Sequence, residues 1–156
     1  MSFQDAMRRV ITGDNERGKS VVIIDGGPSS EIAGVLYEIW EDAASGPLDS
    51  RLQADLGSKK PTLGPPKGGV RVGWFVVNPL PEGVPKEILD GAVRERFANI
   101  GGAHYLIDQS RHPAMHETPT LDIICLLQGD VSLILEEGET RLKPGQVVIQ
   151  RGTNHA

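Results

Sequence analysis

His112, His116 and Asp122 stand in one short run, HPAMHETPTLDIICLLQGD (residues 112–130), and His155 ends a second, KPGQVVIQRGTNHA (residues 143–156). Neutral imidazole and carboxylate are donors that suit a divalent first-row metal ion (iron, manganese, nickel or zinc). Two histidines with one carboxylate form the open-sided set used for non-haem iron. Polar groups of this kind are costly to carry into an apolar strand, so the first run raises the question of what it holds. Residues of equal parity share one face of a strand, so His116, Thr118 and Asp122 are expected to look the same way and Glu117 to face out. His116, Asp122 and His155 are therefore the expected metal set. Thr118, Gln150, Arg151, His104 and His112 are candidate lining for a substrate pocket, with Arg151 suited to pairing with a carboxylate.

The segments that must position these residues read mainly as β. MRRVITG and KSVVIID flank the turn-former cluster DNERG and predict a hairpin. AGVLYEIWED and VRVGWFVVNPLP predict further strands. Between them, residues 42–69 are poor in apolar residues and rich in Gly, Pro, Ser and Lys, which predicts a long functional or mobile loop. In PKEILDGAVRERFANIGG the residues Ile88, Leu89, Ala92, Val93, Phe97 and Ile100 recur at helical spacing, which predicts a helix near residues 86–98, stopped by Gly101. Gly91 weakens that helix by about 1 kcal/mol relative to alanine. After Gly101, AHYLID, LDIICLL, DVSLILEE, ETRLK and QVVIQ all read as strands. A single compact domain is expected, with residues 1–69 as an N-terminal β/loop extension and residues 70–156 as the main β unit.

Composition narrows the function. At 156 residues the chain has one domain's worth of sequence, and its net charge of −5 has the wrong sign for gripping phosphate backbones, so a nucleic-acid partner is not expected. The lone Cys125 can form no internal disulfide and sits in an apolar run, where it reads as a small buried hydrophobe. MSFQDAMRRVITGD lacks the apolar core of a signal peptide, and no apolar run is long enough to span a membrane, so the expectation is a soluble cytoplasmic protein without a membrane partner. GPPKGG has glycines but neither the spacing nor the trailing Lys-Ser/Thr of a phosphate loop.

Residues 101–156 resemble the cupins, and the runs SRHPAMH, TLD and QRGTNHA are most similar to those of a group of small bacterial cupin-domain proteins. In this resemblance His116 matches the first histidine of the first cupin motif, Asp122 its glutamate and Gly129 its closing glycine. Gly145, Gly152 and His155 match the second motif. Thr118 stands where the family has its second histidine, Asp122 is shorter than the usual glutamate, and Gln150 replaces a proline. The resemblance implies a jelly-roll β-barrel whose final strand lies beyond Ala156, and hence either an exposed edge or a homodimer. It further implies a metal-dependent enzyme acting on a small organic molecule, of oxygenase, isomerase or decarboxylase type. The alternative is a metal-free module that binds or senses a small ligand.

Overall fold

The structure, a computed structural model, describes residues 7–43 and 47–156. Residues 44–46 of the expected long loop and the first six residues of the expected extension lie outside the described residues. The fold is mainly β with one α-helix, and the chain divides into two compact units. One runs to Pro61 and includes Pro65–Val76; the other comprises Thr62–Gly64 and Val77–Ala156.

In the N-terminal unit, β1 (Arg9–Asp14) and β2 (Ser20–Gly26) form the expected antiparallel hairpin. Its turn closes because the Asn15 side chain accepts the Arg17 and Lys19 N–H groups, and Gly18 takes a left-handed conformation. A three-stranded sheet follows, with β4 (Leu36–Ala43) between β3 (Ser30–Ile32) and β5 (Gly69–Phe75). Residues 69–75 thus pair with the N-terminal strands, although the sequence pattern grouped residue 70 onward with the later ones. Backbone pairing to β4 outweighs the composition shift that suggested a boundary there.

Arg9 ties this unit together. Its guanidinium is buried and donates to the Gly27 and Ile39 carbonyls, to the Ser29 hydroxyl, and to both oxygens of Asp55 at 2.8 and 2.5 Å. The fork holds the Asp55 carboxyl down at about 2. Asp55 lies within the stretch expected to be a loose loop, so the described part of that stretch is anchored by a buried charge pair.

In the C-terminal unit, α1 (Lys86–Asn99) falls where the helical spacing puts it. Leu89, Val93 and Ile100 are half-buried and Phe97 is buried, while Ile88 and Ala92 on the same predicted stripe are exposed. AHYLID is not a strand. The left-handed Gly101 turns the chain after α1, the Tyr105 N–H reaches the Gly102 carbonyl, and Ala103–Tyr105 form a 3-10 turn. β6 (Leu121–Cys125) pairs antiparallel with β9 (Val147–Arg151), and between them in sequence β7 (Val131–Ile134) and β8 (Glu139–Leu142) form a hairpin. No closed barrel is formed among the described residues; the pairs remain separate ladders joined by single bridges.

One face of the β6–β9 ladder is open to solvent. Leu121, Ile123 and Cys125 lie across from Arg151, Ile149 and Val147, and all six are exposed. Cys125 is therefore not the buried hydrophobe its apolar run suggested; strict alternation puts it outside. A water-soluble maleimide should modify Cys125 in the native chain about as fast as in denaturant, followed by mass spectrometry. Protection lifted only by unfolding would contradict this placement.

Candidate functional site

The site is built on one backbone contact within the C-terminal unit. The His116 N–H donates to the His155 carbonyl at 2.9 Å, and the His155 N–H returns the bond to the His116 carbonyl at 3.0 Å. Residues directly opposite in an antiparallel pair send their side chains to the same face. The two imidazoles accordingly stand with ring centroids 4.4 Å apart, tilted by 44°. The pair is interior to a short β array, because Leu106 bridges to His116 on one side and Leu135 to His155 on the other.

Two local features, one of them a glycine, bring the chain into this register. Gly152 is left-handed at φ 58°, a conformation that costs other residues roughly 1–2 kcal/mol, and a Cβ there would meet the Thr118 carbonyl at 3.2 Å. It lets the chain leave β9 close against residues 118–120. Gln150, expected at a pocket mouth, is buried, stands in the wall of a cavity beside β9, and donates to the Thr153 carbonyl at 2.8 Å and to its hydroxyl. It closes the turn that delivers His155.

Each ring is held by its own backbone. His116 Nδ1 lies 2.9 Å from the Ala114 carbonyl and His155 Nδ1 lies 2.9 Å from the Thr153 carbonyl. A carbonyl can only accept, so Nδ1 must carry the proton in both rings. The lone pair is then on Nε2, the nitrogen left for another partner. The Phe97 ring packs edge-on against His116 at 4.9 Å, which is how α1 takes part in the site. His155 is buried and His116 largely so. Burial pushes the His116 pKa below its ordinary value, as does His155 beside it; the Ala114 and His155 carbonyls and Asp122 oppose this without reversing it. The neutral, electron-donating form is favoured.

Asp122 shares the expected face but does not join the pair. Thr120 donates to its Oδ1 at 2.7 Å, and Thr118 and Thr120 hydroxyls are also 2.7 Å apart. Since the Thr120 proton goes to Asp122, Thr118 must donate to Thr120, and the three side chains form one directed chain from the bend before β6 into the start of that strand. Among the described residues, no three His, Cys, Asp or Glu side chains are grouped to hold a metal ion.

The remaining candidates disperse. His104 is exposed and lies against the Tyr105 ring, 3.9 Å between centroids. His112 lines a different groove, with its Nδ1 accepting the Ala114 N–H. Arg151 is exposed and on the opposite strand face from Asp122 and Gln150. A cavity of about 410 Å³ beside β7 and β9 is lined by Leu133, Leu135, Val148, Gln150, Arg151 and Thr153, and the histidine pair is not in its wall. Sequence reasoning missed Phe97 as a site residue, because its helical spacing reads as ordinary core. It also missed Thr120, whose even parity with Asp122 was the available signal.

Because the folded chain disfavours charging His116, the unfolded state binds more protons wherever the two titrations differ. Stability is then full above the unfolded imidazole value of about 6.5 and falls as the pH drops through that value toward the lower folded one. Urea titrations at pH 7.5 and 5.5 should show this loss, and His116→Phe should reduce it. An unchanged acid dependence in that variant would contradict the assignment.

No family model matches the chain. Short segments are similar to curated fungal proteins. Phomopsin biosynthesis cluster proteins C' and D of Diaporthe leptostromiformis are each 50% identical over 42 residues, covering 26% of this chain and 22% of each relative. Oryzines biosynthesis cluster protein J of Aspergillus oryzae is 48% identical over 44 residues, covering 28% of this chain and 25% of the relative. The matched stretch is thus a quarter or less of each relative's length. No helix among the described residues is long and apolar enough to cross a membrane.

Proposed function

We propose that the C-terminal unit is part of a cupin-like jelly roll that acts on a small organic molecule with the help of a divalent metal ion. The observation that supports this most is the facing histidine pair, each Nδ1 committed to a backbone carbonyl and each Nε2 left with its lone pair. Second-partner bonds of this kind are what fix the tautomer and direction of metal-ligating histidines. The fit is to two ligands and not three, because the Asp122 carboxylate is engaged by Thr120. His116 and His155 would hold the ion, and the donor set suits iron, manganese, nickel or zinc. When bound, the ion would supply Lewis acidity or activate dioxygen. The chain's own contribution is to keep both imidazoles aimed and His116 neutral, with Phe97 packed against His116. The threonine–Asp122 chain could orient a polar substrate group through the free lone pairs of Thr118. Relatives named for biosynthesis clusters support a biosynthetic small molecule as the substrate class.

A second reading, a metal-free module for binding a small ligand, is favoured by the incomplete ligand set. In it the two Nε2 atoms accept hydrogen bonds from the ligand directly. In either reading the chain works in the cytoplasm, and a homodimer is the expected assembly. The open apolar face of β6–β9 is the surface such a dimer would cover.

Elemental analysis of the full chain, purified without chelator, separates the two readings. The metal reading predicts a first-row ion near one per chain, largely lost in His116→Ala and in His155→Ala and retained in Asp122→Asn. Metal held at full occupancy in His116→Ala would contradict it, and a metal-free wild type would leave the binding module.

A further inference from the structure

A groove on the C-terminal unit lies apart from the histidine pair, between α1 and the 109–113 segment. We propose that it binds a small carboxylate carrying an apolar body. Its walls include Leu80, Leu89 and Pro113, and its polar groups are Lys86, Arg111 and His112. At about 310 Å³ it is at the small end of ligand sites, which run from roughly 300 to 1,000 Å³.

The polar groups are set for an anion. Arg111 Nη1 donates to the Gly138 carbonyl at 2.8 Å, to the Glu136 carbonyl at 3.2 Å and to the Leu135 carbonyl. These bonds hold the guanidinium plane, and among the described residues its Nε and Nη2 have no partner. A guanidinium fixed along one side and open along the other presents the two parallel donors that match a carboxylate. Holding it in advance removes part of the ordering cost of binding. Next in sequence, His112 Nδ1 accepts the Ala114 N–H at 3.1 Å, so Nε2 carries the proton and is a donor. Burial lowers the His112 pKa, which keeps it a neutral donor at neutral pH. Lys86 adds positive charge at the rim, partly offset by Asp90 at 2.7 Å. Of the carboxylates nearby, Asp108 accepts the Ser110 N–H at 2.9 Å and Glu136 accepts from the Asn154 amide at 3.4 Å. Gln109 is tied at both ends, to the Pro113 carbonyl and to Arg94, so this wall is rigid. Leu80, Leu89 and Pro113 supply the apolar part of the wall, beside Gln109 and Ser110, which favours a carboxylate with a hydrocarbon body over a compact phosphate.

The test uses the full chain and three probes of equal length: hexanoate, hexanol and hexylamine, with inorganic phosphate as a fourth. Calorimetry and backbone amide shifts are expected to give saturable hexanoate binding at about 1 mM, with shifts at residues 86–89 and 109–113. Hexanol should bind at least about tenfold more weakly, and hexylamine and phosphate not measurably. Arg111→Lys keeps the charge but loses the fork, and should weaken hexanoate about tenfold. Lys86→Gln, at an exposed helix position that does not endanger folding, should weaken it less than Arg111→Lys does. His116→Ala should leave it unchanged, so that this groove and the histidine site stand or fall separately. Equal binding of hexanol and hexanoate, tighter phosphate than hexanoate, no saturation by about 10 mM, or unchanged affinity in both Arg111→Lys and Lys86→Gln would overturn the proposal.

Discussion

The reciprocal pair of backbone hydrogen bonds between His116 and His155 is the constraint on which the C-terminal unit's chemistry depends. Side-chain direction in an antiparallel pair is a consequence of register, and a slip of one residue would send one imidazole to the other face. Everything around the pair protects that register: the Leu106 and Leu135 bridges on its two flanks, the left-handed Gly152 pressed toward the Thr118 carbonyl, and the Gln150–Thr153 closure. The rings then need only their own Nδ1 bonds to be aimed. The facing pair is thus made mostly from backbone geometry.

Polar burial around the pair is only partly compensated. Asn154 donates to the Asp108 carbonyl at 3.1 Å, yet its Oδ1 is buried without a partner among the described residues, a cost of about 1–3 kcal/mol. A residue kept at such a cost next to His155 is consistent with a segment selected for more than stability. The N-terminal unit shows the same pattern in Glu38, buried with one unpartnered oxygen and its pKa raised by burial, in spite of Arg71 nearby.

Much of this was legible from residue spacing. Period-two parity grouped His116, Thr118 and Asp122; hydrogen bonds do link Thr118, Thr120 and Asp122, although regular strand begins only at Leu121 and the chain bends at residues 119–120. Helical spacing located α1, and turn chemistry located the first hairpin. What parity could not reveal is competition within the face: a threonine two residues from an aspartate captures it locally, as short hydroxyl side chains do. AHYLID failed for a different reason: directly after the left-handed Gly101 the chain closes a 3-10 turn, which β-rich composition does not announce. The apolar run LDIICLL was read as buried throughout, whereas β6 alternates and leaves Leu121, Ile123 and Cys125 in solvent. Apolar residues are a one-way guide to burial.

The central claim is that His116 and His155 each carry a proton on Nδ1, bonded to a backbone carbonyl, and leave Nε2 as the nitrogen open to another partner. Nitrogen-15 NMR of the histidine rings at pH 7.5, in metal-free protein, reads this directly. The account predicts the Nδ1–H form for His116 and His155 and the Nε2–H form for His112. Finding His116 and His155 as Nε2–H tautomers, or as freely exchanging mixtures like the exposed His104, would contradict it.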